Sequence, residues 1–195
     1  MIKRALDSGA HGILVPVIQS VEDAKRVAEY SKFPPAGRRG FEALLAVEKF
    51  VEQDPTNMPG VRELTGREYP DQANERLVIA VQIETKGALE NVREIAAIPG
   101  IDVLFIGPFD LGVAIGHPIR GDCYDQEFVD AIQTVYEAGK GAGKAVGIYC
   151  DTGEQGRFYA QQGFQMVSVI TDMVEIIRKV FQQDFEAAQG ECMAS

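Results

Sequence analysis

The sequence predicts an α/β fold on a parallel sheet, and three observations carry that prediction. Short apolar runs alternate with helix-like stripes along the chain. Each run is short and apolar, and none is long enough to span a membrane. The run LVIAVQIE, finally, turns polar at its C-terminal end, which is where α/β proteins build their sites.

In chain order, Ile13 to Ile18 (ILVPVI) reads as the first strand, followed by a helix from Val21 to Tyr30. Residues 36–76 break the rhythm and are long for a connection. Within them Phe41 to Gln53 could form a helix, while Asp54 to Asn74 looks irregular, so the chain reads as one domain, 1–195, with an insertion at about 41–74. Leu77 to Glu84 is the second strand. Leu89, Val92, Ile95 and Ala96 then share one face of a helix over Ala88 to Ile98.

Val103 to Gly107 (VLFIG) is the third strand. Phe128, Ala131, Ile132, Val135 and Tyr136 form the clearest helical stripe in the sequence. Ala145 to Cys150 is the fourth strand, with a helix at Glu154 to Gln162. Met166 to Ile170 is the fifth, before a long helix from Met173 to about Ala188. Residues 189–195 read as a frayed tail.

Strands separated by helices imply right-handed βαβ units, in either a doubly wound sheet or a (β/α) barrel. Side-chain alternation on LVIAVQIE favours the barrel. Leu77, Ile79, Val81 and Ile83 suit packing under helices, whereas Val78, Ala80, Gln82 and Glu84 face the other way and become polar toward the rim.

The chain has 195 residues and a formal net charge of −10. That acidity argues against nucleic acid and anionic membrane as partners, because both would repel it. The three cysteines, Cys123, Cys150 and Cys192, are too scattered for a disulfide framework. They read as reduced thiols, and the first residues show no secretion signal, so a cytoplasmic location is expected.

Glu84 and Asp110 stand out as functional candidates. Each lies at or just past the C-terminal end of a predicted strand, one βα unit apart, so neighbouring strands would bring them to one rim. Two convergent carboxylates need a cation or donor between them. An oxygen-only donor pair suits Mg²⁺ or Mn²⁺ better than zinc. The same acids could be ordinary strand-end carboxylates, one of them capping a helix.

The turn Gly107-Pro108 leaves the backbone N–H groups of Phe109 and Asp110 able to face an anion, although such a turn also simply ends strands. Gln82 shares Glu84's face and could donate to a substrate oxygen, or be a satisfied buried amide. His117, Cys150, Asp151, Thr171 and Asp172 lie at the same rim with weaker claims, Asp172 being equally a helix cap. His11 falls in a helix-to-strand turn. GKGAGK at 139–144 lacks P-loop spacing.

At VQIET (Val81–Thr85) and FIGPFDL (Phe105–Leu111) the sequence resembles the HpcH/HpaI aldolase family. LDSGAHGILVPVIQSVEDA, FPPAGRRG and GKAVGIYCDTG agree with it, and the resemblance covers nearly the whole chain outside much of 42–74. It implies an incomplete (β/α) TIM-type barrel, matching roughly strands 4 to 8 of the family's eight. It also implies a lyase that cleaves 4-hydroxy-2-oxo acids to pyruvate and an aldehyde through a metal-stabilised pyruvate enolate.

Carried over by position, the metal ligands are Glu84 and Asp110, with Mg²⁺ the expected ion and Mn²⁺ or Co²⁺ possible. Gln82 and the stretch Gly107, Pro108, Phe109 and Asp110 would hold the pyruvyl group, and FPPAGRRG would lie near the rim. The family's histidine and arginine belong to the first three strands, and no residue here matches them. The resemblance therefore leaves open a truncated enzyme or a non-catalytic metal- and pyruvate-binding subunit. DLG at 110–112 also departs from the family's common DLS. Finally, relatives assemble as hexamers, and Val174, Ile177, Phe181 and Phe185 form an apolar stripe on the last helix, so a homo-oligomer is expected.

Overall fold

The five predicted strands are present and lie side by side in one parallel sheet. The structure is a computed structural model. It describes residues 1–41, 44–47, 51–52, 62–63, 68–119, 124–169, 177, 180–182 and 184–185. In chain order it begins with α1 (Ile2–Asp7), β1 (Gly12–Val15), α2 (Val21–Ser31) and α3 (Leu44–Val47). A short antiparallel pair follows, β2 (Val51–Glu52) with β3 (Arg62–Glu63), and then α4 (Tyr69–Arg76) and β4 (Val78–Ile83). Next come α5 (Lys86–Glu90), α6 (Val92–Ala96), β5 (Val103–Ile106), α7 (Pro108–Ile115) and α8 (Gln126–Gly141). The described core ends with β6 (Ala145–Cys150), α9 (Gly153–Gln161) and β7 (Met166–Val169).

The main sheet has the order β1-β4-β5-β6-β7. Its register places Val15 beside Val81, Ile83 beside Ile106, and Ile106 beside Ile148, so the strands end at a common rim. The sheet curls into a half-barrel. Leu14 on β1 and Met166 on β7 line one cavity, although β1 and β7 are the two edges of the sheet. A flat sheet of five strands would hold those edges about 19 Å apart, at roughly 4.8 Å per strand.

Alternation on β4 sorts its side chains as the sequence predicts. Leu77, Ile79, Val81 and Ile83 are buried under the helices, while Val78 stands half-exposed on the concave face. The convex core is one continuous apolar cluster, in which Phe128, Ile132 and Val135 of α8 pack with Leu104, Ile106 and Val146 of the sheet. Helix starts are fixed by hydroxyl and carboxylate caps. Ser20, Thr85, Asp125 and Thr152 accept from the N–H groups of Asp23, Ala88, Phe128 and Gln155. Each such cap stabilises by about 1 kcal/mol.

Three expectations need correction. Of the helix foreseen over Phe41 to Gln53, the described residues show α3 at Leu44–Val47, whereas residues 51–52 pair as a strand with 62–63. Within the stretch expected to be irregular, α4 forms, because Pro70 fits the first helical turn and Tyr69 and Ala73 give it a buried face. The single helix expected over Ala88 to Ile98 is broken at Asn91, whose side-chain amide donates to the carbonyl of Gly87. Such side chains compete with the helix for its backbone partners.

Candidate active site

The C-terminal rim gathers the functional candidates from three neighbouring strands. Glu84 follows β4 directly and is 5% exposed. Its carboxylate accepts the backbone N–H of Val17, from the loop after β1, at 2.6 Å. It also accepts the side-chain amide of Gln82 at 2.5 Å. Asp110, in the first turn of α7, reaches the same carboxyl, so the two predicted acids meet. Burial raises the Glu84 carboxyl above its usual range, the Val17 N–H opposes that, and the negative charge of Asp110 raises it further. Like charges in contact under partial burial call for a cation between them.

The loop that supplies the Val17 donor is strained. Val17 has φ +56, a left-handed conformation that a β-branched residue adopts at a cost of about 1–3 kcal/mol. Its side chain remains exposed, so no packing gain offsets the strain. What the conformation does is aim an N–H at a buried carboxylate. Sequence reasoning missed this donor, since a backbone group at a valine leaves no signature in residue types.

Gly107 and Pro108 form the turn into α7, and the first intrahelical bond runs from Leu111 N–H to the Gly107 carbonyl. The N–H groups of Phe109 and Asp110 therefore fall in the first turn, where the helix supplies no acceptors. Gly107 is fixed by close approach. A Cβ there would lie 2.5 Å from Gln82 Nε2 and 2.6 Å from Glu84 Oε2. Gly107→Ala is accordingly expected to push both side chains apart and weaken divalent-metal affinity at least about tenfold, measured by calorimetry, while the melting temperature moves by only a few degrees.

The donor set fits a hard divalent ion. Two carboxylates and a side-chain amide oxygen are available, and no imidazole or thiolate ligand joins them among the described residues. Among those residues, the group of three acids and histidines close enough to share an ion lies elsewhere, at His117, Asp125 and Glu127. There Asp125 is the cap of α8 and holds His117 Nδ1 at 2.7 Å, an ordinary capping arrangement.

Other candidates separate clearly. Cys150 is buried, and burial pushes its thiol up to about 11, so it is no nucleophile. Asp151 lines the rim cavity. His11 lies at the other end of the sheet, where its carbonyl accepts Val78 N–H. Thr171 and Asp172 lie outside the described residues.

The FPPAGRRG run is also away from the rim. Arg39 sits beyond the C-terminus of α2, its backbone N–H bonded to the Lys32 carbonyl. Its guanidinium binds Asp7 and Tyr69 and lies 4.5 Å over the Phe33 ring. Lys32 beside it donates to the carbonyls of Asn74 and Leu77, just before β4 begins. This run braces the far end of the sheet, a correction to its expected place near the site.

Comparison with known proteins bears on all of this. A family model described as HpcH/HpaI aldolase/citrate lyase matches residues 1–178. The chain is 34% identical over 179 residues to a 2-dehydro-3,6-dideoxy-6-sulfogluconate aldolase of Pseudomonas putida, covering 92% of this chain and 64% of that one. It is 34% identical to a 4-hydroxy-2-oxo-heptane-1,7-dioate aldolase of Klebsiella pneumoniae, covering 91% of this chain and 62% of that one. The chain thus spans a little under two thirds of the length of these relatives. Among solved structures, a HpcH/HpaI aldolase/citrate lyase family protein of Burkholderia cenocepacia superposes with a TM-score of 0.75 at 32% identity, covering 96% of this chain and 68% of that one. An HpcH/HpaI aldolase of Desulfitobacterium hafniense gives a TM-score of 0.81 at 23% identity, covering 96% and 67%, and supports the fold.

Proposed function

The chain belongs to the HpcH/HpaI aldolase/citrate lyase family, and from that premise we propose that it is a metal-dependent carbon–carbon lyase. Its substrates would be 4-hydroxy-2-oxo acids, cleaved to pyruvate and an aldehyde or formed from them. The five strands would then correspond to the fourth to eighth of an eight-stranded barrel, in one domain with its insertion at about 41–74. The observation that carries the reading is the meeting of Glu84 and Asp110 at the strand rim beside Gln82 and the Gly107-Pro108 turn.

Glu84 and Asp110 would hold the divalent ion, Mg²⁺ first, with Mn²⁺ or Co²⁺ as substitutes. When bound, that ion would supply Lewis-acid polarisation of a 2-keto acid's oxygens. The protein's own groups do the rest. The N–H groups of Phe109 and Asp110 receive the substrate carboxylate at the start of α7. The side-chain amide of Gln82 can turn from Glu84 to a substrate oxygen, and Val17 fixes the Glu84 carboxylate in place. We assign no proton-transferring base among the described residues, since His11 lies at the opposite end of the sheet and the His117 ring is held by Asp125.

Pyruvate release from 4-hydroxy-2-oxo acids, followed with and without EDTA, tests the proposal. EDTA-sensitive release is the expected result, and its absence at high protein concentration would refute the lyase reading. A cytoplasmic setting is proposed on the buried free thiol of Cys150. Among the described residues no helix is long and apolar enough to cross a membrane.

We further propose a homo-oligomer. Ile177, Phe181 and Phe185 are helical and exposed, with Val180 beside them, whereas Val174 lies outside the described residues. Phe181 is 72% exposed, an unusual position for a phenylalanine in an isolated chain. Phe181→Asp is expected to lower the mass seen by light scattering, because it would bury an unpaired charge in the contact. A stable monomer of 21.3 kDa for the unaltered chain would rule the assembly out.

A further inference from the structure

The turn after β1 and the end of β4 are joined by more than the Val17 N–H. The carbonyl of Ile18, next to the strained residue, accepts the Thr85 hydroxyl at 2.6 Å, and the Ile18 side chain is buried. The same Thr85 oxygen accepts the N–H of Ala88 at 3.1 Å, so the hydroxyl's one proton is committed to Ile18. The Gln19 carbonyl approaches Gly87 so closely that a Cβ there would fall 2.3 Å from its oxygen.

A valine in the left-handed region persists only where its surroundings over-determine it. Val15, paired with Val81, anchors the turn at one end, and Ser20, the cap of α2, anchors it at the other. The peptide planes between them are left to local contacts. The Thr85 hydroxyl takes hold of the middle of the turn from the β4 side, one residue along the chain from Glu84.

Resting on the metal-site reading above, we propose that Thr85 is a positioning residue for the divalent ion. Its hydroxyl holds the β1 turn in the strained form that aims the Val17 N–H at Glu84, and Gly87 leaves the turn room to lie there. The run from Glu84 to Gly87 then works as one device, with a ligand, a tether and a clearance. A carboxylate held this way suits Mg²⁺, which demands near-ideal octahedral geometry, whereas Ca²⁺ tolerates a mobile carboxylate and can take both of its oxygens.

Thr85→Val keeps the side-chain shape and removes the hydroxyl. Calorimetry should show Mg²⁺ affinity weakened about tenfold and Ca²⁺ affinity weakened less. Thr85→Ser should restore both. Thr152→Val removes the matching cap of α9 and should lower stability while leaving Mg²⁺ affinity unaltered. In EDTA, the Val17 amide proton of ¹⁵N-valine-labelled protein should resonate far downfield, as a 2.6 Å bond to a carboxylate requires, and should move upfield in Thr85→Val.

Gly87→Ala should bring the same upfield move and the same loss of Mg²⁺ affinity, although alanine favours a helix more than glycine does. Glycine enters the left-handed region without steric cost, so Thr85→Val should cost less Mg²⁺ affinity in a Val17→Gly background. A Val17 signal that is the same with and without the Thr85 hydroxyl would overturn the proposal. So would Thr85→Val and Thr152→Val that lower stability alike with Mg²⁺ affinity intact. If the unaltered protein binds no Mg²⁺, the metal reading falls, and the Val17 signal in EDTA still decides whether Thr85 holds the donor.

Discussion

Replacing Glu84 by glutamine should abolish tight Mg²⁺ binding and at the same time make the metal-free protein more stable. The first effect follows from losing one of two charged ligands. Loss of a group that merely orients a ligand costs about 10–100-fold in metal affinity, so loss of the ligand itself should cost at least about 100-fold. The second follows from the environment. Glu84 is buried against Asp110, and both burial and that neighbour raise its pKa. A carboxyl with a raised folded-state pKa holds its proton more tightly in the native state than when unfolded. Stability therefore falls as pH rises from the unfolded pKa through the folded one, and above both the ionised group is a net burden.

Glutamine removes that burden and keeps an oxygen for the Val17 N–H. Melting in EDTA at pH 7 should shift upward, by about 2–4 °C for each kcal/mol relieved. Asp110→Asn should also lose metal affinity, and it relieves Glu84 of its neighbour's charge. Calorimetry showing unchanged Mg²⁺ affinity in both variants would remove the site assignment. Lost affinity together with a much lower melting temperature would mean that the acids are structural instead.

The second large effect is expected far from that rim. The Arg39 side chain is fully buried and pairs with Asp7 at 2.9 Å, its guanidinium packed on Phe33 and bonded to the Tyr69 hydroxyl at 3.0 Å. Breaking a buried pair by removing one partner costs about 3–5 kcal/mol. Lys3 also pairs with Asp7, so the acid is not left bare and Arg39→Ala should fall toward the lower end, near 3 kcal/mol.

Among the described residues Arg39 Nη1 is buried without a hydrogen-bond partner, which is a standing cost of keeping the guanidinium there. Arg39→Met combined with Asp7→Asn removes the pair and that cost together and keeps most of the volume. The double variant should be more stable than Arg39→Ala. Urea denaturation that ranks them in the opposite order would show that the ion pair, and not the packing, dominates. Mg²⁺ affinity should be unaltered in either case.

The sequence disclosed the parts of this molecule that depend on side-chain period and strand ends. Alternation on Leu77–Glu84 placed its buried and concave faces correctly, because a parallel strand under helices leaves little freedom in which face is apolar. That Glu84 and Asp110 would meet was legible because both follow neighbouring strands of one sheet. The Phe41–Gln53 stretch misled, since its last residues pair as a strand with Arg62–Glu63, outside the stretch itself. The place of Arg39 was hidden for a similar reason. Its partners Asp7 and Tyr69 are distant in sequence, so an RRG run could not disclose that it is a brace. Backbone features, such as the left-handed Val17 and its N–H, are invisible to residue-type reasoning altogether.

The order of strands in the sheet has a kinetic consequence. β1 lies at one edge and pairs with β4, from which residues 16–77 separate it, whereas only residues 84–102 separate β4 from β5. Closing a loop about three times as long costs about 1 kcal/mol more in chain entropy. β4 to β7 should therefore condense first and β1 join late, with amide exchange at Gly12–Val15 less protected than at Val103–Ile106. The Glu84 carboxylate comes from the early partner and its Val17 donor from the late one. Competence to hold a ligand would thus appear only when the slowest closure is complete, and half-folded chains would carry two close acids without the donor that orders them.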